Sequence, residues 1–268
     1  MGWALGYVGG GLLLALNLIM LKYPEWVGYP TGYFTVQDCF LSVALWWLIF
    51  SLPTFLLLRE RGYGKEPPSE GGYFRSGYRR LRHTFRRMKS FRELTKFLVA
   101  FLIYNEGIET VIVMASIFGA EVLGMKTNEL ILFFLMIQGI AFVGAMIFGF
   151  LADAFGNKRT VVVTLGIWSL IVLWAFQLGI VWDPKTEYWI LGVLVAIVLG
   201  GSQAASRSLQ GLFTPDANSA EFFGFFAVSG KFASIFGPLI YGILIAITGS
   251  VQSGVLSVLI FFVVGMAI

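Results

Sequence analysis

The chain has 268 residues, of which 57% are hydrophobic and 13% charged, with a formal net charge of +4 and a mean hydropathy of +0.81. That balance excludes a soluble globular domain and points to the membrane. With Cys39 and His83 as its only cysteine and histidine, the chain offers no internal disulfide, thiolate metal cluster, serine triad or nucleotide-binding glycine loop. No enzyme activity, resident cofactor, metal or nucleic-acid partner is therefore expected.

A helix needs ~20 mostly apolar residues to cross ~30 Å of hydrocarbon. Eight segments qualify: 2–22, 36–58, 97–118, 129–152, 161–181, 188–210, 221–247 and 251–268. They lack strand alternation, so their backbones are satisfied within helices rather than in a barrel. The predicted fold class is all-α: a polytopic, multi-pass helical membrane protein whose first partner is the lipid bilayer. The first span follows Met1 with neither a basic leader nor a small-residue cleavage site, and no removable signal peptide is expected.

In the first span, Gly2, Gly6, Gly9, Gly10 and Gly11 form a glycine stripe of the kind that lets helices approach closely. Asn17 adds an intramembrane amide. After the second span, the segment Arg59–Lys96 holds twelve of the nineteen Lys and Arg, so it faces the cytoplasm. The loops around 23–35, 119–128 and 182–187 then face outward, and those around 153–160 and 211–220 face inward. Residues 62–77 read as a flexible linker. From Arg75 to Lys96, Tyr78, Leu81, Phe85, Met88, Phe91 and Leu94 recur every three or four residues among arginines. That spacing predicts a basic amphipathic helix able to lie on anionic lipid. A positive-inside linker without lipid preference and a lipid sensor both fit it.

The third span carries Glu106 and Glu109 about ten residues in, near mid-membrane and on one helical face. Each ionisable group there costs ~2.5–3.5 kcal/mol on insertion scales. Asn105 stands four residues before Glu109, and Gly107 thins the helix beside them. The two acids are candidates for proton coupling or for a cationic solute group; a polar pair satisfied by neighbouring helices is the plain alternative. Lys231, at similar depth in the seventh span, is the expected counter-charge to Glu106, as a static staple or as a gate. Gln138 in the fourth span and Gln203 in the sixth are further polar candidates, each read first as an interhelical hydrogen bond.

The fourth span runs into Gly149-Phe150-Leu151-Ala152-Asp153-Ala154-Phe155-Gly156-Asn157-Lys158-Arg159-Thr160, an inward-facing connection dense in charge. Arg207, near the cytoplasmic end of the sixth span, either snorkels to the interface or joins Asp153 and Glu221 in a cytoplasmic charge cluster with Lys158 nearby. Glu221 falls in the first turn of its helix, where an acid suits the dipole. The seventh span carries a second glycine run, Gly230, Gly237-Pro238 and Gly242, and its proline is expected to bend it. Two such glycine-bearing spans, one on each side of the long loop, point to an internal repeat.

These residues resemble a known family. Gly149–Thr160 is similar to the cytoplasmic signature loop of the major facilitator superfamily, in its second-half copy. Gly2-x-x-x-Gly6-Tyr7-x-Gly9-Gly10 resembles that family's glycine-rich fifth-span motif, and Pro215 to Pro238 the connection into its eleventh span. Tyr104-Asn105-Glu106-Gly107, Gly200-Gly201-Ser202-Gln203-Ala204-x-Ser206-Arg207-Ser208 and Glu221-Phe222-Phe223-Gly224 resemble the vacuole-effluxer-like branch, whose fungal members are associated with amino-acid export from the vacuole. The resemblance implies that the eight spans correspond to spans five through twelve of twelve. Residues 1–58 are then the last two helices of the first six-helix half, 59–96 the central loop and 97–268 the second half. It also implies that the third span here lines the central cavity and that Gly149, Asp153, Gly156, Lys158 and Arg159 belong to a cytoplasmic gate with Arg207 and Glu221. Ala154, Asn157 and Tyr7 depart from the usual motifs. The four preceding helices are expected outside this chain, through a truncated gene or an incomplete read.

The expected function is secondary active transport of small organic solutes, amino acids among them, by alternating access with proton linkage. A non-transporting scaffold or receptor derived from a transporter is the alternative. The expected location is the cytoplasmic (inner) membrane if the source is prokaryotic, with 59–96 in the cytoplasm.

Overall fold

The computed structural model describes residues 2–30, 34–58, 91–215 and 219–268. Among them are nine α-helices and no strand. They are α1 (Gly2–Lys22), α2 (Cys39–Leu57), α3 (Arg92–Ile117), α4 (Thr127–Phe155), α5 (Asn157–Phe176), α6 (Pro184–Phe213), α7 (Ser219–Phe232), α8 (Phe236–Thr248) and α9 (Val251–Ala267). A π-helical turn, Phe118–Val122, extends α3. Seven stretches are long and apolar enough to cross a membrane, with α7 and α8 together counted as one, and the shorter apolar α9 completes the predicted eight. The linker and most of the basic amphipathic segment, residues 59–90, lie outside the described residues.

The chain divides into two compact units, residues 1–8 with 84–268, and residues 9–83. In the smaller unit, the Ser42 hydroxyl of α2 donates to Asn17 Oδ1 of α1, an interhelical bond. Phe40, Trp47, Phe50 and Phe55 of α2 point outward, as an apolar solvent allows.

In the larger unit, α4 and α6 meet backbone to backbone. A Cβ on Gly144 would strike the Ile197 carbonyl, and one on Gly200 would strike the Ala141 carbonyl and lie 2.7 Å from Ala145 N. Helix α9 lies against α3, where Gly107 accommodates the Phe262 ring and Gly265 accommodates Tyr104. Phe262 also stacks on Trp168 of α5, with ring centroids 5.3 Å apart. Phe101 of α3 stacks on Phe226 of α7 at 4.1 Å. Near the start of α6, Tyr188 stacks on Phe133 of α4 at 4.5 Å, and its hydroxyl donates to the Ala115 carbonyl at 2.6 Å.

Two boundaries differ from expectation for local reasons. Helix α6 starts at Pro184 rather than 188, because the Asp183 side chain accepts from Thr186 N–H as N-cap and proline opens the first turn. Glu187, expected in a loop, is fully buried. It accepts the N–H groups of Gly179 at 2.8 Å, Val181 at 3.1 Å and Trp182 at 2.7 Å. The seventh span is not one bent helix. It breaks at 233–235, because a continuous helix would drive the Pro238 ring into the carbonyl of Ser234. Pro238 instead sits in the first turn of α8, where its missing N–H costs nothing.

Candidate functional site

Helix α3 brings Tyr104-Asn105-Glu106-Gly107 against four other helices, and Asn105 and Glu106 are 2% and 3% exposed. At the end of α7 the chain tightens. Ser234 N–H bonds the Lys231 carbonyl and Ile235 N–H bonds that of Phe232, which releases the Gly230 carbonyl from the helical ladder. Asn105 Nδ2 donates to that carbonyl at 3.4 Å. On the other side of the break, Glu106 Oε2 accepts the Gly237 N–H at 2.6 Å. Gly237 is the second residue of α8, one of the first-turn N–H groups that a helix cannot satisfy itself. The carboxylate therefore sits at the positive end of the α8 dipole. A Cβ at Gly237 would run into Thr110 Oγ1 and lie 2.7 Å from the Glu106 carbonyl, so only glycine permits this approach. Asn105 Oδ1 and Glu106 Oε1 are buried without a hydrogen-bond partner.

The expected Glu106–Lys231 pairing is replaced by this arrangement. A backbone N–H, rather than an ammonium, engages Glu106. Lys231 is exposed in the last turn of α7, where a cation suits the dipole. Its electrostatic partner is Glu109, which is half-buried and lies beside Asn105 and Glu106, with Tyr7 of α1 also nearby. No ion pair closes between Lys231 and either acid among the described residues. Gln138 and Gln203 are half-buried, and neither makes the expected interhelical hydrogen bond among the described residues.

On the side assigned to the cytoplasm, Gly149, Asp153 and Arg207 share a cavity of about 700 Å³ with Trp3, Ser208 and Phe223. The Arg207 guanidinium stands 5.6 Å from the centre of the Phe223 ring. No ion pair joins Asp153 to Arg207 among the described residues. Glu221 lies in the first turn of α7. The connection itself shrinks to Gly156, whose φ of +91° requires glycine. Asp153 consequently falls in the last turn of α4, and Lys158 and Arg159 in the first turn of α5. Both placements oppose the helix dipoles. Helix stability does not account for these charges.

A chain of buried polar groups ties α3 to α6 and α5. Ser206 Oγ donates to the Ser202 carbonyl at 2.6 Å, which uses its only proton, so Tyr104 O–H donates to Ser206 Oγ at 2.6 Å. Trp168 Nε1 donates to Ser202 Oγ at 3.5 Å. Sequence reading missed Gln210, which is buried and donates to Thr214 Oγ1 and the Phe222 carbonyl. It also missed Thr110, whose hydroxyl donates to the Glu106 carbonyl at 2.6 Å. Neither carries a signal in a single sequence. Glu187 had one in the Asp183-Pro184 start. A separate apolar cavity of about 110 Å³, lined by Thr110, Met114, Phe118, Tyr188, Tyr241 and Val258 among others, is far below the ~300 Å³ of ordinary ligand pockets.

Apolar helices long enough to cross a membrane, with buried polar groups gathered on the two ends of a discontinuous span, define a polytopic helical membrane protein. The chain belongs to the vacuole effluxer Atg22-like family, whose model matches residues 1–268. It is similar to the MFS-type transporter YxiO of Bacillus subtilis, with 32% identity over 269 residues covering 100% of this chain and 61% of that protein. Autophagy-related protein 22-1 of Penicillium rubens is 27% identical over 97% of this chain and 46% of its own length. Autophagy-related protein 22 of Kluyveromyces lactis is 25% identical over 100% of this chain and 56% of its own length. The chain thus spans about half the length of the curated relatives it matches. No solved structure matches it.

Proposed function

We propose that the protein is a secondary active transporter of small organic solutes, amino acids among them, working by alternating access with proton linkage in the membrane that holds it. The observation that carries this reading is the mid-membrane carboxylate of Glu106 at the first turn of a half-helix, an arrangement suited to ion and solute sites in transporters. Glu109, with Lys231 and Asn105 near it, is the group that meets the solute. Asn105 and Glu106 stand one layer behind it, against the break. Gln138 and Gln203 line the path without anchoring it. The cavity holding Gly149, Asp153 and Arg207 is the cytoplasmic gate in its open form, closed by charge contacts that draw in Gly156, Lys158, Arg159 and Glu221. Residues 59–96 lie in the cytoplasm against anionic lipid. Helices outside this chain complete the central cavity, with the division at 58 and 97 separating the two halves.

The test is uptake of an amino-acid panel by the full-length protein in proteoliposomes under an imposed pH gradient. Uptake driven by the gradient is expected, and Glu106→Gln is expected to abolish that pH dependence. Retained pH-dependent uptake in the variant removes Glu106 as the coupling group, and no uptake of any solute favours the scaffold alternative.

A further inference from the structure

We propose that Asn105 and Glu106 are a two-sided clasp on a hinge, positioning residues that hold the break between α7 and α8 in register. A broken span leaves opposite needs on its two sides: unpaired carbonyls where the first half ends, and unpaired N–H groups where the second begins. Consecutive residues of α3 supply the matching polarity to each. The Asn105 amide, a donor, meets the released Gly230 carbonyl. The Glu106 carboxylate, an acceptor only, meets the Gly237 N–H. Exchanging the two side chains would put an acceptor on a carbonyl. Thr110, one turn on, secures the Glu106 backbone from within α3 and packs against Gly237.

The clasp is closed but not saturated. Asn105 Oδ1 and Glu106 Oε1 each remain buried and unpartnered, and leaving such a group unpaired is costly. The helical ladder of α7 ends with Ala233 N–H on the Ser229 carbonyl at 3.1 Å, and the N–H groups of Ser234 and Ile235 make tighter three-residue turn bonds of 3.4 and 3.2 Å instead. A weak segment gripped by an under-satisfied clasp is a place where the two half-helices change angle. Its bearing on transport rests on the transporter reading, but the clasp itself does not.

Amide hydrogen exchange of residues 230–237 in the full-length protein, embedded in lipid nanodiscs, tests the clasp without any solute. Glu106→Leu removes the acceptor and is expected to speed exchange at Gly237 roughly tenfold or more. Glu106→Gln keeps an acceptor oxygen and is expected to stay near wild type, even while it loses proton linkage in uptake. Asn105→Asp, nearly isosteric, replaces the donor with an acceptor and is expected to open 233–235 further than Asn105→Ala does. Unchanged exchange in both Glu106→Leu and Asn105→Asp overturns the proposal, as does acceleration spread evenly over α3 to α9. If Glu106→Leu does not fold, the Asn105→Asp and Asn105→Ala comparison decides. Loss of pH-dependent uptake with intact protection in Glu106→Gln supports both readings, whereas intact uptake with unprotected Gly237 in Glu106→Leu separates them.

Discussion

The α4–α6 seam and the α7–α8 span solve the problem of packing in lipid in opposite ways. At the seam, Gly144 and Gly200 let two backbones touch with no side chain between them. Packing alone drives that contact, since lipid tails offer no hydrophobic gain. In the broken span, glycine serves a polar purpose: Gly237 admits the Glu106 carboxylate to a helix end. A seam of backbone atoms has one good geometry and gives way only by separating. A break bridged by two hydrogen bonds can turn while keeping them. One region is built as a rigid body and the other as a joint, and α3 carries the polar groups that connect them.

The largest expected effect lies in the seam. Gly200→Val forces side-chain atoms into the Ala141 carbonyl, and a backbone cannot move aside as a side chain can. Destabilisation of about 3 kcal/mol is expected, read as a fall in the thermal unfolding midpoint in detergent. Gly230→Ala, in the broken span, meets only the Phe101 ring at 3.7 Å and should leave the midpoint unchanged or raised. Equal losses in the two variants would erase the contrast between seam and joint. A smaller effect is expected where α3 joins α6. Ser206→Ala strands the Tyr104 hydroxyl and should cost about 1–2 kcal/mol, while adding Tyr104→Phe should recover most of it. A double-mutant cycle measures that coupling, and additive losses would show that the two hydroxyls do not depend on each other.

The spans were legible in sequence because hydropathy acts over tens of residues; the Lys/Arg bias assigns their sides as an expectation. The cost of burying Glu106 was legible too, but its partner was not. That partner is a backbone N–H freed by a helix break, and a backbone group has no letter in the sequence. Pro238 signalled irregularity, yet its effect falls on the carbonyl four residues earlier, so the break precedes it. Lys231 is the cation that the sequence offers at that depth, but it stands exposed in the last turn of α7 and closes no ion pair with either acid among the described residues. Glycine patterns were similarly incomplete. A Cβ at Gly2, Gly6 or Gly9 meets nothing within 4 Å among the described residues, whereas Gly144 and Gly192, which no motif singled out, are closely packed. Glycine permits a close approach but does not say what approaches. The charges of Gly149–Thr160 look like a loop in sequence, but one φ-positive glycine, Gly156, is enough to turn the chain and leaves them on helix ends.

Paired spin-label distances between helix ends test the division into rigid body and joint most directly. Labels at Thr127 and Thr186, both exposed at the starts of α4 and α6, report the seam. Labels at Thr186 and Thr248, the latter exposed at the end of α8, report the broken span. Between acidic and neutral pH, the first distance is expected to stay fixed while the second shifts. A Thr127–Thr186 distance that changes as much as Thr186–Thr248, or a Thr186–Thr248 distance that stays fixed, would contradict the account.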